Sequence, residues 1–333
     1  AFGEACLENT GELLGHVDTV STVLDLDMLR AIVGDERLNY LGYSYGTQIG
    51  ALYAELFPEQ VGRLVLDGAV DPAATLQEVT QVQAVGIEGA MRAYVADCLA
   101  RSGCPLSELG AGDVDRGMEI IDGLLRRVEA QPIRAADGRM LYDSTLFTAI
   151  VTTLYSQSLW PELDTLIDEV ARGGAEQAFR LADYYNDRVD GVYQSNLMEA
   201  FAAINCLDYP RVSELDFDEL RRDAEALMAV APIAGRFQSF GDVGCANWPV
   251  PAADVARAVT GAGAAPILVI GTTGDPATPY RWAKALAGQL ESGVLVTFEG
   301  EGHTAYGQSE CIDAIVDDYF LSGAVPQGDA VCS

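Results

Sequence analysis

Three short stretches hold residue types that could act together as nucleophile, base and acid. In "LNYLGYSYGTQIG", residues 38–50, Ser44 sits between Gly42 and Gly46. A serine hydroxyl is a poor nucleophile near neutral pH and needs an adjacent histidine, itself oriented by a carboxylate. The sequence contains two histidines. His303, in "FEGEGH", follows a strand-like run, and Gly300 and Gly302 let the backbone turn the imidazole back over the strand ends. His16 precedes a helical pattern with no strand end near it and reads as a surface or capping residue. Asp275, in "VIGTTGDPATPY", stands at the end of another apolar run, stiffened by Pro276 and Pro279, although an aspartate there also suits a turn or cap. Asp71 is the second choice for the acid. The chemistry these residues suit is acyl transfer through a serine ester.

Such residues need a scaffold that brings them together. Leu38 to Leu41 reads as a short buried strand, and from Thr47 onward Ile49, Tyr53, Leu56 and Phe57 fall on one helical face before Pro58. In a strand, tight turn and helix of this kind the central residue is held in a strained conformation that lifts its side chain clear. The residues two before and two after it must be small where strand and helix nearly touch. Further strands are expected at 63–66, 267–270 and 294–298, with helices at 280–290 and 310–321. Between Ala73 and about Ala246 the spacing is helical throughout, as in "MEIIDGLLRRVEA" and "WPELDTLIDEVARGG". Alternating strands and helices imply a parallel sheet, and a helical block inserted between two strands implies a cap seated on it. The expected division is a core part over 1–72, a helical cap over 73–250 and a second core part over 251–333. Ligands bind at the carboxyl ends of the strands in such sheets, where Ser44, Asp275 and His303 all fall.

Composition narrows the function classes. Fifty acidic residues against 20 basic ones give a net charge of -30, which repels nucleic acid and anionic membranes and favours amine-bearing partners. No apolar stretch is long enough to span a bilayer. Seven cysteines with no Cys-x-x-Cys spacing, and only two histidines, argue against a metal site and for disulfides, hence for an oxidising, extracytoplasmic compartment. Pairings of Cys98 with Cys104, Cys206 with Cys245 and Cys311 with Cys332 leave Cys6 over. No cofactor is implied.

The order Ser44, Asp275, His303 is that of α/β-hydrolases and differs from those of the chymotrypsin and subtilisin folds. With these residues in place, the chain resembles the secreted bacterial tripeptidyl-aminopeptidase-like α/β-hydrolases, serine exopeptidases related to prolyl aminopeptidases. The likeness runs through "LNYLGYSYGTQIGALYAELFPEQVGRLVLDGAVDP", "PILVIGTTGDPATPY" to "FEGEGH", the cap segment "AAINCLDYP" and the tail "CIDAIVDDYFLSGAVPQGDAVC". It implies Ser44 as nucleophile, Asp275 as orienting acid, His303 as base and a peptide with a free N-terminus as substrate. The amine of that substrate would suit a cap carboxylate, with Asp208 in the matching segment as first choice and Glu199 as second.

The pattern is incomplete in one respect. The family places about four strands before the serine elbow, and only 37 residues precede the strand 38–41 here. One oxyanion donor would be the backbone N–H of Tyr45, but the glycine-rich loop that supplies the second is not in the sequence. The resemblance therefore implies an upstream segment of the same polypeptide, disulfide-linked through Cys6. Two rival readings remain: a carboxylesterase or lipase using the same three residues, and an inactive or incomplete hydrolase that serves as a binding module.

Overall fold

The computed structural model describes residues 1–210, 215–253 and 255–333. Its strands in chain order are β1 (Leu38–Tyr43), β2 (Val61–Asp67), β3 (Ile133–Arg134), β4 (Met140–Leu141), β5 (Arg188–Val189), β6 (Val192–Tyr193), β7 (Ile267–Gly274), β8 (Gly293–Glu301) and β9 (Ala330–Cys332). β1, β2, β7, β8 and β9 form one sheet in that order, every neighbouring pair parallel. β3 with β4 and β5 with β6 are two-residue antiparallel hairpins in the helical region.

The sheet is buried on both faces, and the sequence shows why. Along β7 the run Ile267, Leu268, Val269, Ile270 is apolar at every position, and all four side chains are buried. Alternate residues face opposite ways. Ile267 and Val269 join Leu64 and Leu66 beneath the helices Thr19–Val33, Tyr45–Leu56 and Arg281–Gln289, through Val23, Leu52 and Leu286. Leu268 and Ile270 join Val65 and Val296 on the other face, against Ile312 and Val316 of the helix Glu310–Ser322. Parallel strands linked by crossing helices, with helices on both faces, make this the α/β-hydrolase architecture.

The helical block has its own core. Met91, Tyr94, Leu125, Leu146, Trp160, Leu163 and Leu227 belong to one buried cluster that holds together the helices Leu76–Ala100, Val114–Ala130, Asp143–Leu154, Trp160–Ala171 and Phe217–Val230. The helix Leu197–Asp208, expected in that block, packs elsewhere. Its Ala203, Cys206 and Leu207 share a separate cluster with Leu14 and Trp248, against Cys6 and Val17. Backbone bonds from Ala253 N to Leu207 O (2.7 Å) and Val255 N to Asp208 O (2.9 Å) fasten its end to the chain leading into β7. The three disulfides are Cys98–Cys104, Cys206–Cys245 and Cys311–Cys332, and Cys6 is free. Among the described residues, no helix is long and apolar enough to cross a membrane.

Candidate active site

Ser44 is the single residue between β1 and the helix Tyr45–Leu56, with φ 54° and ψ -123°. A non-glycine residue in that region is strained and persists only where its surroundings dictate it. Here they do. The Ser44 N–H donates to Asp67 O at the end of β2 (2.9 Å), while Ser44 O accepts from Thr47 N (2.9 Å) and Thr47 Oγ1 (2.6 Å). The strand and helix meet so closely at Gly42 that a Cβ there would lie 2.5 Å from Gly46 O and 2.6 Å from the Tyr40 ring.

Asp275 and His303 come together at the carboxyl ends of β7 and β8. Imidazole Nδ1 lies 2.9 and 3.0 Å from the two carboxylate oxygens, with the Asp275 side chain fully buried and His303 nearly so. The carboxylate also accepts from Ala277 N and Thr278 N (both 2.8 Å) and from Thr278 Oγ1 (2.9 Å), and that hydroxyl stands 3.2 Å from Nδ1. Local turn bonds and the imidazole thus share one carboxylate, so the turn role and the orienting role coexist. Among the described residues, no hydrogen bond joins Asp71 to the histidine. Its Oδ1 accepts from Ala73 N (3.0 Å) and Gln289 Nε2 (2.7 Å).

The imidazole reaches back towards the elbow through Gly68, the residue after β2. A Cβ on Gly68 would lie 3.2 Å from His303 Cε1, 3.0 Å from Thr304 and 3.1 Å from Thr278. Because Ser44 N is bonded to Asp67 O, one residue earlier, the serine turn and the imidazole flank the same glycine. The hydrogen bonds of the described residues do not include one between the Ser44 hydroxyl and His303. His16 is exposed on the 3-10 turn Gly11–His16.

Three participants escaped sequence reasoning. Asp67 is buried at the end of β2 and accepts from Ala305 N (3.0 Å) and Tyr306 N (2.8 Å), which anchors the loop carrying His303. Burial pushes its carboxyl up to about 6, against the pull of those two N–H donors and of the nearby histidine. Tyr155, from the helical block, accepts the His303 backbone N–H (2.8 Å) and sets its ring edge-on to the imidazole at 5.2 Å. Thr278 is the third, and an aspartate followed by threonine three residues on was its available signal. No comparable signal marks Tyr155, whose contact depends on how the helices seat on the sheet.

Asp208 is not available as an amine ligand. It is buried, and both oxygens are taken by Thr19, Oδ1 from the backbone N–H (2.8 Å) and Oδ2 from the hydroxyl (2.5 Å). Burial pushes its carboxyl up to about 6, in spite of those bonds. Thr19 Oγ1 is in turn 2.6 Å from the Tyr45 hydroxyl. Tyr45 is the first residue of the elbow helix, where its N–H is one of the donors left free by helix geometry. Glu199 is exposed in the first turn of the helix Leu197–Asp208. A cavity of about 960 Å³ lies between the helix Leu76–Ala100 and the β7 end, lined by Gly86, Thr273, Asp275, Arg281 and Glu301 among others. Its lining does not include Ser44, Tyr45 or His303.

Sequence comparison places the chain beside known proteins. Residues 231–332, which contain Asp275 and His303, match the family model described as TAP-like protein. The chain is 40% identical to the serine protease Hip1 of Mycobacterium tuberculosis over 342 residues, covering 99% of this chain and 65% of that protein. It is 37% identical to carboxylesterase B of the same organism over 339 residues, covering 100% of this chain and 64% of that protein. To the tripeptidyl aminopeptidase of Streptomyces lividans it is 29% identical over 342 residues, covering 100% of this chain and 61% of that protein. The chain thus spans less than two thirds of the length of each of these relatives. By sheet topology the chain has the α/β-hydrolase fold, and over residues 231–332 it is similar to the TAP-like proteins.

Proposed function

We propose that the protein is a serine hydrolase that cleaves short peptides or single residues from the N-termini of peptide substrates. The observations that carry this reading are the buried Asp275–His303 pair and a serine held at φ 54° on a strand-to-helix elbow. In the proposed reaction Ser44 Oγ attacks the scissile carbonyl carbon while its proton passes to His303 Nε2. The carbonyl oxygen becomes an oxyanion, stabilised by the Tyr45 N–H. That proton then goes to the departing amine, the C–N bond breaks, and an acyl-serine remains. Water repeats the sequence, with His303 again taking and returning the proton, and releases the acid. Asp275 holds the ring with Nδ1–H towards itself, leaving Nε2 free to act.

Relatives named as a serine protease and a tripeptidyl aminopeptidase support a peptide substrate. A free amine would be recognised by a carboxylate, and Glu199, exposed at the start of its helix, suits that role. A relative named carboxylesterase B favours a second reading in which the same residues cleave esters. Three disulfides support a site of action outside the cytoplasm. A further proposal concerns a partner: an additional segment of the same polypeptide that pairs with the outer edge of β1, supplies a second oxyanion donor and bonds Cys6. Free Cys6 and the position of β1 at the margin of the described sheet support it.

A fluorophosphonate probe tests the core of this reading. Labelling should fall on Ser44 and disappear in Ser44→Ala, and peptides with free amines should be cleaved faster than their N-acetylated forms. Absence of labelling at Ser44 in the full-length protein would favour a binding module. Faster turnover of simple esters, indifferent to N-acetylation, would favour the esterase. Non-reduced peptide mapping that leaves Cys6 as a free thiol in the full-length protein would remove the disulfide partner.

A further inference from the structure

Two carboxylates meet one helix end beneath the elbow, which is more than a helix needs. The helix Thr19–Val33 already has its N-cap in Asp18, whose Oδ1 accepts from Ser21 N (2.9 Å) and whose Oδ2 accepts from Ser21 Oγ (2.6 Å). Asp208 comes from a different helix 189 residues away and takes the Thr19 N–H as well. Burying a second negative charge beside the first is unfavourable unless it secures something else. What it secures is a chain of hydrogen bonds to Tyr45.

The direction of that chain follows from chemistry. An ionised carboxylate can only accept, so the Thr19 hydroxyl donates its single proton to Asp208 Oδ2 (2.5 Å). Thr19 Oγ1 then has only lone pairs to offer, and the Tyr45 hydroxyl must donate to it across 2.6 Å. The anchor end is rigid. Asp208 terminates a helix that carries the Cys206–Cys245 disulfide, and its own carbonyl accepts from Val255 N (2.9 Å). We infer that Asp208 is a positioning residue for the proposed reaction: through Thr19 it holds the Tyr45 side chain, and with it the backbone N–H that follows the elbow serine. This inference rests on the reading of Ser44 as nucleophile, and it extends that reading to residues that would not touch substrate.

The test compares Thr19→Val, which keeps the shape and removes the link, with Thr19→Ser, which keeps the hydroxyl, and adds Asp208→Asn, whose amide must donate to Thr19 and so reverses the chain. Probe labelling of Ser44 over a range of probe concentrations separates the limiting rate from the probe affinity. Amide hydrogen exchange is read over residues 44–48 in the same proteins. Thr19→Val and Asp208→Asn are expected to lower the limiting rate about tenfold, the worth of one well-placed hydrogen bond, with affinity changed less than about twofold. Elbow exchange should quicken in both, and Thr19→Ser should restore rate and protection. An unchanged limiting rate and unchanged elbow exchange in Thr19→Val would overturn the inference, as would a loss that Thr19→Ser fails to restore. If the unsubstituted protein does not label at Ser44, the proposed function fails. The exchange comparison then decides this inference alone: faster elbow exchange in Thr19→Val but not in Thr19→Ser keeps the tether, and equal exchange removes it.

Discussion

The motif Gly42-x-Ser44-x-Gly46 treats its two glycines alike, and the structure does not. A methyl at Gly42 would meet Gly46 O at 2.5 Å, Gly46 C at 2.7 Å and the Tyr40 ring at 2.6 Å. Carbon contacts settle near 3.5–4.0 Å, so relief requires strand and helix to part by about 1 Å. Two of the three obstacles are backbone and cannot swing aside. A methyl at Gly46 would meet only the Tyr40 hydroxyl, at 3.1 Å, the far end of a side chain that donates to Gly46 O. Alanine also favours a helix over glycine by up to about 1 kcal/mol, which offsets part of that small push.

Gly42→Ala is therefore expected to cost about 2 kcal/mol, the middle of the range for overpacking, and to lower the melting temperature of the core by roughly 4–8 °C. Because the displaced segment carries Ser44, the labelling rate should fall by about a hundredfold, as a 1 Å misplacement can cause. Gly46→Ala should stay within about 1 kcal/mol and lose less than about fivefold in rate. Differential scanning calorimetry and probe kinetics on the two variants are sufficient. A Gly46→Ala protein as damaged as Gly42→Ala would refute the argument, since it would place the close approach elsewhere.

Three further outcomes are expected of the same site. Asp275→Asn should slow turnover by about 10⁴-fold through the wrong imidazole tautomer, while Asp71→Asn should change it only a few-fold, because Asp71 is bonded to Gln289 and Ala73; equal losses in steady-state assays would reverse the assignment. Asp67 binds its proton more tightly folded, at about 6, than at its ordinary 3.8. The stability this contributes is full below the unfolded value and lost as pH rises through the folded one, up to about 3 kcal/mol. Melting temperature should therefore rise on acidification from pH 7 to 5, and Asp67→Asn should lessen that rise, leaving the share of Asp208, also pushed up to about 6; an identical slope in the variant would exclude Asp67 as a source.

What the sequence disclosed, and what it withheld, divides along the range of the interactions involved. The elbow, β7 and the histidine loop were legible because each is encoded within a dozen residues: a glycine pair around a serine, an unbroken apolar run, an aspartate between a strand and two prolines. β9 was not, because three residues with a single apolar side chain buried carry no period, and its place is set by pairing with β8 and by the bond from Cys332 to Cys311. The same reasoning accounts for the misreading of Asp208. A carboxylate on a helix is solvated far more often than buried, and only the arrival of Thr19 from 189 residues away makes burial tolerable. Nor could Tyr155 be found, since its carbonyl meets His303 N–H through the seating of one folded body on another. Local chemistry in this chain therefore names the candidate groups, and long-range packing decides how firmly they are held; substitutions at Asp67, Thr19 and Tyr155 address the second without touching the first.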